Sequence, residues 1–431
     1  MQKYEQSPYC CGTMNDYLTI NPKTDCSELN DESVVSFIPM SNVQEKSNLV
    51  SFDMVHYSDV KKGFTVFQKG DLLWAKITPC MQNGKSCVVD EMPTDIGFGS
   101  TEFHVIRKRN NSVYMPYIWS IFSNDNVLRA AQAVFSGSAG QQRVSESFIK
   151  NFPGVIPDFN RQVALSRKIE TKLFERKAKR DQALRLLNEF ENRLTTSFNL
   201  LNNSIDRLCF AIHLKDMDGV INAKRYASRK KPQHVFTVSD ICTILDEKIN
   251  VSRYSTDVVD WIRIDDLPNQ PTDIEITRTQ PANEIEGSFF EVQKGDILVA
   301  RLGPTILNQK IVMVRSTNRK TIASAEFLVL RCKPNYHPEA VMAILKTSYY
   351  RDLMYSQARG STPSRYRLSR EDMLKLPFPD IREQQEQIAI EANSIRVQVR
   401  SLRVHAEQEW QAAKAQFEKE LLGEQDGYSE D

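Results

Sequence analysis

The sequence predicts an α+β protein. It has two similar mixed domains separated by two long helices, which pair as an antiparallel intramolecular coiled coil with an approximate twofold relation. Three observations predict this: a half-length internal repeat, strand-like apolar runs closed by turn residues in each copy, and two proline-free stretches with near-heptad apolar spacing.

The repeat comes first. Val66-Phe67-Gln68-Lys69-Gly70-Asp71-Leu72-Leu73-Trp74-Ala75-Lys76 returns as Glu291-Val292-Gln293-Lys294-Gly295-Asp296-Ile297-Leu298-Val299-Ala300-Arg301. Ser100-Thr101-Glu102-Phe103 returns as Ser324-Ala325-Glu326-Phe327, and Gly137-Ser138 as Gly360-Ser361. Pro157-Asp158 returns as Pro379-Asp380, followed by Arg161-Gln162 in the first copy and Glu383-Gln384 in the second. The offsets run from 379 − 157 = 222 to 295 − 70 = 225, in one order, which chance does not produce.

Within each copy the Gly-Asp-(Leu/Ile)-Leu-x-Ala pattern predicts a turn feeding a buried strand. Glu102 to Arg107 and Glu326 to Arg331 predict further strands, with Phe103 and Phe327 in the core and the two glutamates as hydrogen-bond anchors. Tyr114 to Ala133 and His337 to Gln357 predict short helices, and a proline-bearing segment closes each domain.

The long helices follow. Arg161 to about Leu201 holds neither proline nor glycine, with Ile169, Leu173, Ala183, Leu187, Phe190, Leu194 and Leu201 forming a stripe. Ile388, Ala392, Ile395, Val399, Leu402, Ala406, Ala413, Phe417 and Leu421 form its counterpart. A helix of roughly 40 residues spans about 60 Å and needs a partner for such a stripe. The boundaries read as 1–158 first domain, 159–203 first spacer helix, 204–380 second domain, 381–423 second spacer helix and 424–431 acidic disordered tail.

Composition narrows the function. The 431 residues, 41% hydrophobic and 26% charged, describe a globular protein of more than one domain. A net charge of +1 means that any attraction for phosphate must come from local clustering. No apolar run is long enough for a membrane helix, the N-terminal segment to Pro22 is polar, and cytoplasmic placement is expected. Eight cysteines without a Cys-x-x-Cys pair argue against zinc and for free thiols. No phosphate-binding glycine loop, dinucleotide loop, zinc-protease helix or nucleophile elbow occurs, so no catalytic residues and no bound cofactor are expected.

Two loops per copy carry polar groups of the kind that read DNA. Lys76, Gln82, Asn83 and Lys85 follow the first repeated strand, and Arg301, Asn308 and Lys310 the second. The Gly-Ser loops add Gln142 and Arg143 in one copy, and Arg359, Arg365 and Arg367 in the other. Carboxamides pair with adenine, guanidiniums with guanine, and ammoniums with phosphate. The basic run Arg167 to Arg185 reads as a solvated face or as a contact to DNA phosphate or a partner subunit, and the run Lys224 to Lys231 as a flexible linker or a phosphate contact.

Taken together, the duplicated Lys-Gly-Asp-(Leu/Ile)-Leu-x-Ala-(Lys/Arg) segments, Ser-x-Glu-Phe strands, Gly-Ser loops and helix lead-ins resemble the specificity subunit of type I restriction-modification systems over nearly the whole chain. The resemblance implies two target recognition domains, each reading half of a split, asymmetric double-stranded DNA sequence, with the helices setting the gap. It implies assembly with two methyltransferase subunits that bind S-adenosylmethionine and with ATP- and Mg-dependent restriction subunits, while this chain stays non-catalytic. The same architecture would serve a type IIB-like or other methylation-based phage-defence system, and a coiled-coil interaction scaffold is the alternative of a different class.

Overall fold

A computed structural model describes residues 2–137, 142–200, 236–250, 257–274 and 278–423. The chain divides into two compact units. One is Met1–Ala178 together with the segment from His405 onward, and the other is Lys179–Val404.

The first unit contains strands β1 (Cys10–Thr13), β2 (Leu18–Ile20), β3 (Val34–Ile38), β4 (Asp53–His56), β5 (Thr65–Gln68), β6 (Leu72–Ala75), β7 (Ser86–Val88), β8 (Ile96–Gly99), β9 (Phe103–Lys108) and β10 (Pro153–Val155). They form sheets ordered β2-β9-β6-β7 and β4-β3-β8-β5, plus the pair β1-β10. The second unit contains β11 (Phe236–Thr237), β12 (Cys242–Ile244), β13 (Val258–Ile262), β14 (Arg278–Pro281), β15 (Phe289–Val292), β16 (Ile297–Ala300), β17 (Ile311–Met313), β18 (Thr321–Ser324), β19 (Phe327–Cys332) and β20 (Pro377–Phe378). Its sheets run β12-β19-β16-β17 and β14-β13-β18-β15, plus β11-β20. The two topologies correspond strand for strand among the described residues, including a parallel pairing in each unit, β3 with β8 and β13 with β18.

The repeated Gly-Asp turn has a physical reason in both copies. Gly70 and Gly295 sit at φ +87° and +92°, where a side chain is strained. Asp71 and Asp296 follow, each almost wholly buried. Asp71 accepts from Gln68 N–H at 2.8 Å and from Arg107 Nε and Nη2 at 2.8 and 2.7 Å. Asp296 accepts from Gln293 N–H at 2.9 Å and from Arg331 Nε and Nη2, both at 2.8 Å. One carboxylate thus closes the turn and pins strand β6 or β16 to β9 or β19. All four residues of β6 and of β16 are buried, as the apolar run predicts.

The helical stretches expected after the strands are Met115–Phe122 and Asp125–Gln132 in the first unit, and Pro338–Leu345 and Ser348–Gln357 in the second. The long helices are Phe159–Ser197 and Gln385–Leu422. Each is docked by a glutamine at its start. Gln162 accepts from Tyr114 N–H at 2.9 Å and donates to Ser112 and Pro157 carbonyls, both at 2.8 Å. Gln385 accepts from His337 N–H at 2.8 Å and donates to the Asn335 carbonyl at 3.1 Å.

Within the first unit the two helices run antiparallel, with Arg161 and Lys168 paired to Glu420 and Arg176 to Glu407. The stripes meet each other and also the globular part of their own unit, a wider burial than helix-on-helix pairing alone. Leu165 and Ile169 pack with Trp410, Phe417, Leu421, Tyr117 and Phe152. In the second unit Ala183, Phe190, Leu194 and Phe198 pack with Ile388, Ala392, Ile395, Val399 and the helix Pro338–Leu345. Leu201, the Lys224 to Lys231 run and the acidic tail lie outside the described residues. None of the described helices is long and apolar enough to cross a membrane.

Candidate nucleic-acid interface

The polar groups singled out in the two copies gather around one recurring arrangement. In the first unit Lys76 leaves β6, donates its N–H to the Glu102 carbonyl at 2.9 Å and accepts from Val144 N–H at 3.0 Å. The Glu102 side chain takes both arms of Arg143, Nε at 2.9 Å and Nη2 at 2.6 Å. Arg143 and Ser136 exchange main-chain hydrogen bonds at 2.9 and 3.1 Å, closing the Gly-Ser loop at its base. Gln142 is held beside them by Thr78 N–H, and Thr78 Oγ1 donates to Gln82 Oε1 at 2.9 Å. Residues 138–141, the tip of that loop, lie outside the described residues.

The second unit repeats the pattern with more cations. Arg301 N–H donates to the Glu326 carbonyl at 3.2 Å and its carbonyl accepts from Leu368 N–H at 2.9 Å. Arg367 Nε and Nη2 reach the Glu326 carboxylate at 3.2 and 3.3 Å. Arg359 and Arg367 exchange main-chain bonds at 3.0 and 2.8 Å, and Arg359 Nη2 donates to Asp372 at 3.2 Å. Arg359, Arg365 and Arg367 are all exposed. Gly360 is there because of backbone crowding: a Cβ would stand 2.5 Å from the Arg365 carbonyl oxygen. Both glutamates anchor arginines, the role their sequence position suggests. The contact with Arg143 holds the Glu102 carboxyl below its ordinary range.

The remaining residues point elsewhere. Asn83 Nδ2 donates to Glu45 at 2.8 Å, and Lys85 Nζ to the Met40 carbonyl at 3.0 Å. Lys310 Nζ matches this by donating to the Ile264 carbonyl at 3.1 Å. In both copies that lysine tethers one sheet's loop to the neighbouring segment. Asn308 lies beside the same segment, its carbonyl accepting from Gln270 N–H at 2.9 Å. The loops turn alike: the Ile77 and Pro79 carbonyls accept from Met81 and Asn83 N–H, as the Leu302 and Pro304 carbonyls accept from Ile306 and Asn308 N–H, and in the second copy Gly303–Leu307 is a short helix.

Sequence reasoning missed a cleft of about 460 Å³ beside Lys76, walled by Asn21, Lys23, Thr24 and Val66. Asn21, at φ +50°, lies between His104 Nδ1 at 3.2 Å and Glu146 Oε2 at 3.0 Å. Burial pushes the His104 imidazole below its ordinary range. Leu328 follows Phe327 where His104 follows Phe103, so the repeat could not reveal this group.

Part of the basic run on the first long helix is neutralised. Lys168 pairs with Glu420, Lys172 with Glu175, and Arg176 with Glu407. By contrast, the loop cluster of the second unit sets Arg301, Arg359, Arg365 and Arg367 against Glu326 and Asp372, leaving surplus positive charge at an exposed edge. Among the described residues no group of His, Cys, Asp and Glu could hold a metal ion.

The fold and the loops therefore define a protein of two duplicated mixed domains, each docked on paired long helices and each presenting a cation-rich loop cluster. The chain is 38% identical over 151 residues (35% of its length) to the type I restriction enzyme EcoAI specificity subunit of Escherichia coli. It is 34% identical over 159 residues (36%) to the EcoEI specificity subunit of the same organism. These matches confirm the resemblance to type I specificity subunits; they span only 25% and 26% of the two relatives' lengths. No family model matches the chain. Among solved structures, the S subunit from M. genitalium aligns with TM-score 0.39 and 11% identity over 96% of this chain and 94% of that one. The HsdS subunit from Thermoanaerobacter tengcongensis aligns with TM-score 0.36 and 14% identity over 92% of each.

Proposed function

We propose that this chain is the non-catalytic, sequence-specific DNA-binding subunit of a type I restriction-modification complex. The observation that carries the reading is the recurrence, in both units, of a cation, a glutamate and an arginine that brace exposed loops of different sequence. Identical bracing with different tips suits two readers of unlike half-sites, and so a bipartite asymmetric target. Gln82, Gln142 and Arg143 in the first unit, and Arg301, Arg359, Arg365 and Arg367 in the second, supply base and phosphate contacts. Lys76 lies at the rim of the adjoining cleft, and Asn83 and Asn308 serve the flanks. Lys85 and Lys310 act by shaping the loops and by adding positive field. The long helices set the spacer between the half-sites.

The complex would contain two methyltransferase subunits and restriction subunits in the cytoplasm, with S-adenosylmethionine, ATP and Mg held by those partners. A helix-face partner is favoured by Ile390, Val397 and Val404, apolar, exposed and seven residues apart. That stripe also fits a protein-binding scaffold, which would retain no DNA. An electrophoretic shift assay with methyltransferase subunits present separates the two. Retention of a specific duplex, weakened by Arg143→Ala or Arg367→Ala, supports DNA reading; no retention, with the complex intact, supports the scaffold.

A further inference from the structure

The second unit contains a cavity of about 100 Å³, walled by both long helices and by the helix Pro338–Leu345. The internal repeat explains why it exists. The two docking glutamines fix the register of one long helix on the other at 385 − 162 = 223 positions. In that register Ala406 matches Ala183, Phe417 matches Leu194 and Leu421 matches Phe198, and all six are buried. Lys414, which pairs with Asp125, matches Glu191, which accepts from the N–H of Ser348. Trp410 matches Leu187. In the first unit the Trp410 indole is 1% exposed and has the Arg176 and Lys414 cations over its ring, each at 5.5 Å. In the second unit Leu187 lines the cavity instead, with Phe190, Leu194, Met342 and Ile395. Leucine is smaller than tryptophan, and the packing around it has left the difference unfilled.

The walls are not wholly apolar. Thr272, itself 8% exposed, lines the cavity with a buried Oγ1 that has no hydrogen-bond partner. Arg396 Nε, in the same wall, is buried and unpartnered too. A buried polar group without a partner costs free energy unless something supplies one. An apolar-lined cavity with unpartnered polar groups in its wall is the form of a small-molecule site.

We infer that this cavity binds a planar bicyclic aromatic small molecule carrying a hydrogen-bond acceptor, which takes the place that Trp410 fills in the first unit. The rings would pack on Leu187, Phe190 and Met342, and the acceptor would meet Thr272 Oγ1 and Arg396 Nε. Gln309, from the 301–310 loop proposed to read DNA, also lines the cavity, but none of the residues assigned base or phosphate contacts does.

The test uses the full chain, methyl-labelled at methionine, with quinoline as the probe. Titration should shift the Met342 methyl resonance saturably and in the millimolar range or tighter, as befits so small a ligand. Thr272→Val, which keeps the shape and removes the hydroxyl, should weaken quinoline roughly three- to tenfold. Leu187→Trp should abolish the shift by filling the space. A Met342 resonance that does not respond in the unsubstituted chain overturns the inference, whether or not Leu187→Trp folds. Equal affinity of the unsubstituted and Thr272→Val chains overturns the assigned acceptor contact.

Discussion

Replacing Asp71 by alanine tests whether the duplicated Gly-Asp turn is architecture or interface. The carboxylate is 1% exposed and accepts three hydrogen bonds, two from Arg107 and one from Gln68 N–H. Its removal leaves the Arg107 guanidinium with Thr24 Oγ1 at 2.9 Å as its remaining side-chain acceptor. Breaking one side of a buried ion pair costs about 3–5 kcal/mol. Arg107 retains 18% side-chain exposure and can recover some hydration, so the expected loss lies near the lower end, about 3 kcal/mol. Asp71→Asn keeps an acceptor for Gln68 but removes the charge, and should cost about half as much, on the scale of a charge-assisted hydrogen bond. Urea unfolding of the full chain, followed by tryptophan emission, reads the loss, since three of the four tryptophans, Trp74, Trp119 and Trp410, lie in the first unit. With a slope of about 1–3 kcal/mol per molar urea, the midpoint should fall by roughly 1 M or more. Asp296→Ala should do the same in the second unit. An unmoved midpoint accompanied by lost DNA binding would refute the structural role and move the aspartate into the reading surface.

Three further outcomes are expected. Gln162→Ala and Gln385→Ala each strip a docking side chain of its backbone hydrogen bonds and should destabilise their unit by about 1–3 kcal/mol in thermal unfolding. Desolvation pushes the Lys346 amine down to about 8, so the unfolded chain holds a proton that the folded chain releases between about pH 8 and 10.5. Stability should therefore rise with pH across that window, and Lys346→Met should flatten the rise; an unchanged pH profile would contradict this. Arg143→Ala should weaken binding about tenfold or more for duplexes altered in one half-site only, measured by fluorescence anisotropy at fixed salt, whereas Arg367→Ala should act on the other half-site.

Much of the fold was legible because the chain states it twice. Periodicity located the buried strands β6 and β16 and the two long helices, since burial on one face imposes its spacing on the sequence. The sheet orders were not legible, because β3 pairs with β8 across a long stretch of chain and nothing local encodes that partner. The loop residues were legible as polar groups, yet their partners were not. Lys85 and Lys310 read as phosphate contacts, and each donates to a main-chain carbonyl far away in sequence. His104 and Asn21 were invisible for the opposite reason, since the second copy carries Leu328 at the matching place.

The most direct test of the central claim is single-molecule methylation sequencing of DNA from cells that express this chain with the methyltransferase subunits proposed as its partners. The account predicts one split, asymmetric motif; replacing the second unit's loops 301–310 and 359–367 should change one half of it and leave the other half and the gap intact. An unsplit motif, or a change in both halves, would contradict two independent readers.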